Sequence, residues 1–179
     1  MKMPALLRRI ALCVMLAWLS ACSTTPPLPA REHDYGLPRW LHVVRQHPGQ
    51  ADQDSMLAVQ REQGATRWSW FDPLGVPLAR QLLDQGNWRS DGLAPPNSEA
   101  RELFAALLFA WTPHDALDAA YGAGSWREEP MRDGWRRTLI RANAPYFAIR
   151  AIHAGPAGVL VIEDSHGTHW RVAPLDTRP

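Results

Sequence analysis

The sequence predicts a mainly β protein of the α+β class: a curved antiparallel sheet or open barrel with helices against one face. Three observations point there. From residue 55 to 90, and again from 125 to 173, short apolar segments alternate with Gly, Asp, Asn and Pro turn signals at hairpin spacing. Between the two runs stands one strong helical pattern, "EARELFAALLFAW", from Glu99 to Trp111, preceded by Ser98. The strand–helix–strand alternation of a parallel sheet does not occur, so the strands must pair as antiparallel neighbours.

The chain opens with Lys2, Arg8 and Arg9, then an apolar run from Ile10 to Cys22. A positive start, a short apolar stretch and small residues at its end read as a secretory leader rather than a membrane span. Leu19-Ser20-Ala21-Cys22 resembles the lipobox of bacterial lipoproteins. That resemblance implies cleavage before Cys22, acylation of its sulfur and then of its amine. Among such lipoproteins Asp after the Cys favours retention in the inner membrane, so Ser23 implies sorting to the outer membrane. Loss of residues 1–21 removes three cations and no acid, taking Lys+Arg from 19 to 16 against 18 Asp+Glu, a net charge of −2. Cys13 leaves with the leader, and Cys22 alone can form no intramolecular disulfide. No block of basic residues interleaved with aromatics appears, so nucleic-acid binding has no electrostatic support. Residues 22–34 read as a lipidated Cys and a Pro-rich extended tether. Residues 35–179 suffice for one domain burying about two-thirds of its unfolded surface.

Within that domain, "YGLPRWLHVVRQH" (35–47) fits helix or strand. Ser55 to Gln63 reads as a strand, turned by Gly64. Ala65 to Asp72 alternates clearly, with Trp68 and Trp70 on one side and Arg67 and Ser69 on the other. Val76 to Asp84 and Trp88 to Ser90 follow, separated by a Gln-Gly-Asn turn signal. Asn97 or Ser98 caps the helix, whose Leu103, Phe104, Leu107, Leu108 and Trp111 share one face. Thr112-Pro113 ends it, with Thr112 as cap of a second short helix from His114 to Tyr121. Strands are expected at Ser125–Glu128, Gly134–Arg141, Tyr146–His153, Val159–Asp164 and Thr168–Ala173, for eight to ten in all.

No catalytic constellation emerges. Asp164-Ser165-His166 has the letters of a triad, but adjacent residues at a strand end cannot form its ordered relay. His166 and His169 lack a third metal ligand at suggestive spacing. Glu128-Glu129 reads as a solvated pair, and Gly155-Pro156-Ala157-Gly158 as a turn with no helix to receive a phosphate. No enzyme activity, metal or cofactor is expected. What stands out is apolar: of nine Trp, all but Trp18 follow the leader. Most fit core packing. A concave face carrying Trp, Leu, Ile and Val under a helix could instead hold acyl chains, which bind by area removed from water.

One turn is unusual. "WFDPLGVPLARQLLDQGNW" (70–88) puts Leu74 at the tip of Asp72-Pro73-Leu74-Gly75. Asp, Pro and Gly each have a turn chemistry; Leu has none. This stretch, with the lipobox, the tether, the capped helix and the terminal hairpins, resembles the LolB outer-membrane lipoprotein receptors of the LolA/LolB superfamily. It is nearer still to a sister family of proteobacterial lipoproteins, some encoded beside aryl-polyene or similar lipid-synthesis genes. The resemblance runs from about residue 52 to the C-terminus. It implies a half-open barrel lidded by helices, an apolar cavity, and a turn-tip leucine, here Leu74, that touches the bilayer. The alternative is that Leu74 folds back onto the sheet. Asp72 stands where LolB has a neutral Asn, and a carboxylate near anionic headgroups weakens insertion.

The reading is therefore a non-enzymatic, monomeric acceptor of lipid or lipoprotein acyl chains. It is anchored on the periplasmic face of the outer membrane and served by a LolA-like carrier. Trp68, Trp70, Leu103, Leu107, Trp111, Ile149 and Val161 are the expected cavity residues. The alternative is a structural or assembly lipoprotein that meets a partner protein through its apolar face.

Overall fold

Alternating side chains on ten short segments build one antiparallel sheet, in a computed structural model that describes residues 25–92, 97–152 and 158–175. Leu19, Ser20, Ala21, Cys22 and Ser23 lie outside the described residues, as do 155–157 of the Gly-Pro-Ala-Gly turn. The strands are β1 (Arg39–Gln46), β2 (Gln53–Glu62), β3 (Ala65–Phe71), β4 (Pro77–Asp84), β5 (Asn87–Ser90), β6 (Trp126–Met131), β7 (Gly134–Arg141), β8 (Ala144–Ile152), β9 (Val159–Asp164) and β10 (His169–Pro174). Their order is β5-β4-β3-β2-β1-β10-β9-β8-β7-β6, so β1 pairs with β10 and the two halves join at the chain's own ends. The curved sheet stays open: its edges, β5 and β6, are not paired with each other. Edge strand β6 carries Glu128, Glu129 and Pro130, which discourage further pairing.

The ambiguous segment at 35–47 is strand from Arg39 to Gln46. Its phase is set by register: Val43 lies opposite Ser55 on β2 and Val172 on β10, and Leu41 opposite Leu57. The inward set continues sideways through Trp70 and Ala79 on one flank and Ile162 and Ile149 on the other.

Two helices follow the middle of the chain: α1 (Ser98–Trp111) and α2 (Leu117–Tyr121), the latter entered through a 3-10 turn at His114–Ala116. Asn97 caps α1 by accepting from the Ala100 N–H at 3.1 Å. The expected cap of the second helix is corrected. Thr112 turns its hydroxyl back to Leu108 O (2.8 Å), and no side chain caps the 3-10 turn. Leu108 O thus accepts both the N–H and the hydroxyl of Thr112, so this side chain bonds back onto the end of α1 instead of opening the next helix.

The expected lid is also revised. Every residue of α1 from Glu102 to Ala110 is buried, so the helix is not a cover with one wet face. Leu103, Phe104 and Leu107 meet the sheet's aromatic layer, with Phe104 stacked on Trp68 at 4.8 Å between ring centroids. Phe109 meets Tyr121 at 5.0 Å, and Tyr35 lies 6.3 Å from Trp111. A helix apolar on all sides belongs inside a fold, and each large side chain so buried contributes about 1.5–3 kcal/mol.

Part of the expected tether packs too. Pro26 and Pro29 are buried, Leu28 lies against the core, and Ala30 N–H donates to Ala120 O at 2.8 Å. Arg141 Nη1 donates to Thr25 O at 2.9 Å. Apolar Pro and Leu side chains gain more from α2 and β7 than from water.

Candidate functional site

The Asp72-Pro73-Leu74-Gly75 turn is built so that every local polar need is met without Leu74. Gly75 N–H donates to Asp72 O at 3.0 Å and Asp72 N–H to Val76 O at 3.0 Å. The Asp72 side chain accepts from the Leu74 and Val76 N–H groups at 2.9 and 2.8 Å. Gly75 takes φ +83°, where a Cβ would be strained. A register shift between Trp70 and Phe71 ends the alternation just before the turn. Leu74 does not fold back: its side chain is 89% exposed, with Val76 at 55% and Leu78 at 40% close behind. Three adjacent apolar side chains at one tip are more than scattered surface hydrophobicity requires.

Behind this tip, at the N-terminal end of α1, is a hollow of about 490 Å³ walled by Trp70, Pro73, Leu78, Asn97 and Glu99, with Arg45 and Ser55. Most polar groups of its wall are already engaged. Arg45 pairs with Glu99 and donates to Gln53 at 3.1 Å. Trp70 Nε1 donates to Ser55 Oγ at 2.8 Å, which donates in turn to Val43 O at 3.0 Å. Asn97 spans the helix and the strand, donating to Leu78 O at 3.3 Å. The hollow's volume falls in the range of small-ligand sites.

The expected cavity residues divide. Trp68, Leu103, Leu107 and Ile149 have no exposed surface and belong to the packed core, where Trp68 also stacks on Trp111 at 5.8 Å. Trp70 borders the hollow just described. Trp111 borders a smaller one of about 190 Å³ at the other end of α1, under the Arg39 guanidinium 4.7 Å from its ring. Val161 is a correction. It pairs with Arg150 and Arg171 on the outer face, while its neighbour Ile162 points inward with no exposed surface. Alternation forbids both from lining one space.

Polar chemistry sits elsewhere and was missed by sequence reasoning. Arg137, 4% exposed on the inner face of β7, donates from Nη1 to Phe109 O and Thr112 O at 2.8 and 2.9 Å. Its Nε and Nη2 grip Glu128 Oε2, and Glu128 Oε1 lies 3.0 Å from His114 Nδ1. The solvated Glu128-Glu129 pair is thus corrected: β6 turns Glu128 in and Glu129 out. A signal existed, since Arg136 and Arg137 are adjacent on a strand and one must face inward.

Glu102 is buried within α1 and accepts from the Tyr146 hydroxyl at 2.9 Å. Burial pushes its carboxyl above the usual range, the nearby Asp164 carboxylate adds to the rise, and the Tyr146 bond opposes it. Asp164 is a turn builder, accepting from the His166 and Thr168 N–H groups at 2.9 and 2.8 Å. Among the described residues no group of three or more His, Cys, Asp or Glu is arranged to hold a metal ion, and no helix is long and apolar enough to cross a membrane.

Fold and site together define a class: an open, curved antiparallel sheet wrapped on a buried helix, with an apolar turn and a hollow at one rim. The family model that matches residues 40–172 is described as a protein of unknown function, DUF3261, and the chain belongs to that family. No curated protein matches the chain.

Proposed function

We propose that this protein is a membrane-anchored, non-enzymatic acceptor for an amphiphile, which it meets at the rim formed by the Leu74 turn. The observation that carries this reading is the exposure of Leu74, Val76 and Leu78 beside a hollow large enough for part of a ligand. Strand direction supports it. β3 and β7 are six antiparallel steps apart and therefore run the same way, so Arg141, at the end of β7, shares a rim with the turn after β3. Arg141 holds Thr25 there, three residues after Cys22. A lipidated Cys22 would lie within about 11 Å of that point, so anchor and Leu74 would address the same bilayer. The two differ in scale. Three acyl chains at about 0.8 kcal/mol per buried CH₂ far exceed one Leu at about 1.5–3 kcal/mol. Leu74 therefore acts locally, on lipid or cargo, and does not anchor the protein.

The LolB-like reading supplies the direction of transfer, from a periplasmic carrier toward the outer membrane. The packed interior narrows it: acyl chains enter the rim hollow or displace core side chains, because among the described residues Trp68, Phe104, Leu107 and Ile149 fill the space between sheet and helix. That same packing favours the second reading, a structural or assembly lipoprotein whose apolar tip meets a partner protein. A benzophenone amino acid in place of Leu74, irradiated in native membranes, tests both. Lipid adducts are expected; a discrete protein adduct supports the second reading, and no adduct at all overturns the membrane contact.

A further inference from the structure

We infer that the outer face of β7 to β10 is a binding site for a ligand carrying phosphate groups, centred on Arg136 and Arg150. The two are directly opposite across the β7–β8 pair, Arg150 is next to Val161, and Val161 is next to Arg171. Arg136, Arg150 and Arg171 thus form one transverse row over three strand spacings, about 14 Å. All three are exposed.

The fold gives no reason for this row. Like charges directly opposite on neighbouring strands destabilise a sheet. Among the described residues none of the three makes an ion pair or side-chain hydrogen bond. Glu129 is in register with Arg136, and Glu163 lies one row away, yet neither is within ion-pair distance. The other flank differs: there Arg45 is matched with Glu99, Arg67 with Glu62 and Asp91, Arg80 with Asp91, and Arg89 with Asp84. Arginines are paired on that flank, whereas on the outer face of β7 to β10 Arg136, Arg150 and Arg171 have no partner among the described residues; Arg137, on the inner face of β7, is held by Glu128.

Shape agrees with charge. Two hollows, of about 310 and 470 Å³, meet at Arg136. Arg150, His169 and one carboxylate, Glu163, border the first, and Arg127 and one carboxylate, Glu129, the second, so cations outnumber acids in each. Guanidinium groups bind phosphate with two parallel N–H donors, so adjacent free forks suit phosphate oxygens better than a single carboxylate. Phosphate is the shared chemistry of a soluble phosphorylated compound and of a lipid headgroup. The inference stands apart from the Leu74 reading, since it uses the opposite flank and a different kind of contact.

The test is calorimetric titration of the full-length lipidated protein in a zwitterionic detergent with inorganic phosphate and with pyrophosphate. A parallel arm uses nanodiscs of phosphatidylcholine with or without phosphatidic acid. The variants are the Arg136→Gln/Arg150→Gln double and, as a control that removes the same two charges on the other flank, the Arg80→Gln/Arg89→Gln double. Binding in the titration assigns a soluble ligand; in the nanodiscs, where the anchor holds the protein in every case, a rise in Tm only with phosphatidic acid that the double variant lacks assigns a headgroup; either supports the site. The double variant weakens binding by about tenfold or more, as expected for lost charge-assisted hydrogen bonds. It keeps or raises Tm, because a repulsive pair has gone. No binding in any arm, or equal loss in the Arg80→Gln/Arg89→Gln control, overturns the inference.

Discussion

Arg137 and Glu128 face each other across the β6–β7 pair, with guanidinium Nε and Nη2 at 2.8 and 2.6 Å from one carboxylate oxygen. The third nitrogen reaches the carbonyls that end α1. That helix has no basic residue in its last turn, so β7 supplies the cation that its negative end favours. One side chain therefore ties the edge of the sheet to the buried helix.

Removing it should be costly. Arg137→Leu leaves Glu128 and three carbonyls without their donor, and should lower stability by roughly 3–5 kcal/mol. Arg137→Lys keeps the charge but not the fork and should recover only part. Glu128→Gln should cost less than Arg137→Leu, because the carbonyls keep their partner. Urea unfolding of the three variants checks the order, and an Arg137→Leu protein as stable as the parent would show that the helix end does not depend on this contact.

Glu102 gives the fold a pH dependence of definite sign. Its carboxyl is raised above the unfolded value by burial and by Asp164. The protonated form is thus the one the folded state prefers. The associated stability is fully present below the unfolded pKa and is lost as pH rises through the raised folded pKa. Glu102→Gln keeps an oxygen for the Tyr146 hydroxyl and cannot ionise. Its Tm relative to the parent should rise from pH 4 to pH 8. A difference that is flat with pH would mean that Glu102 is ionised in the fold at no cost.

Leu74 should be separable from stability altogether. At 89% exposure, Leu74→Ser should change unfolding free energy by no more than about 0.5 kcal/mol. Its effect belongs to the membrane. A spin label on Val76→Cys, read for lipid depth in the reconstituted lipoprotein, should sit within the acyl region when Leu74 is present and withdraw toward water in the Leu74→Ser form. Equal depth in both would remove Leu74 from the contact.

How much of this could be read from the chain differs from element to element. Helix α1 was legible to within one residue, because the apolar spacing and Thr112-Pro113 agree, while the choice between Asn97 and Ser98 as cap needed the Ala100 N–H bond to Asn97. Its setting was not: Ala105, Ala106 and Ala110 form a second apolar face that small side chains disguise, and only Phe109 against Tyr121 makes it plain. At β1, "RWLHVVRQ" fits two periods, and pairing with β2 and β10 decides between them. Val159 to Ile162 are four apolar residues in succession, so alternation has no starting phase until register with β8 and β10 places Val161 outside. The Leu74 turn was legible because its chemistry is local. The Arg137 contact joins residues 28 apart, and no short-range pattern encodes it.

Asp72 offers the sharpest separation of turn geometry from surface charge. Its Oδ1 alone accepts both N–H groups, at 2.9 Å from Leu74 and 2.8 Å from Val76. An Asn side chain presents one carbonyl oxygen in the same place. Asp72→Asn should therefore keep the turn, with unchanged Tm and unchanged exposure of Leu74. Asp72→Ala frees two backbone donors and should cost about 1 kcal/mol, with a looser tip. On anionic membranes the order reverses for Asn. Removing a carboxylate from the rim lifts its repulsion from like-charged headgroups, so Asp72→Asn should deepen insertion of a spin label at position 76. The gain should shrink as salt rises, since exposed charges are screened within about 10 Å at 0.1 M. Depth measured at low and high salt distinguishes the cases. A gain that ignores salt would trace to altered turn geometry, and no gain on anionic lipid would mean that the Asp72 carboxylate does not face the bilayer.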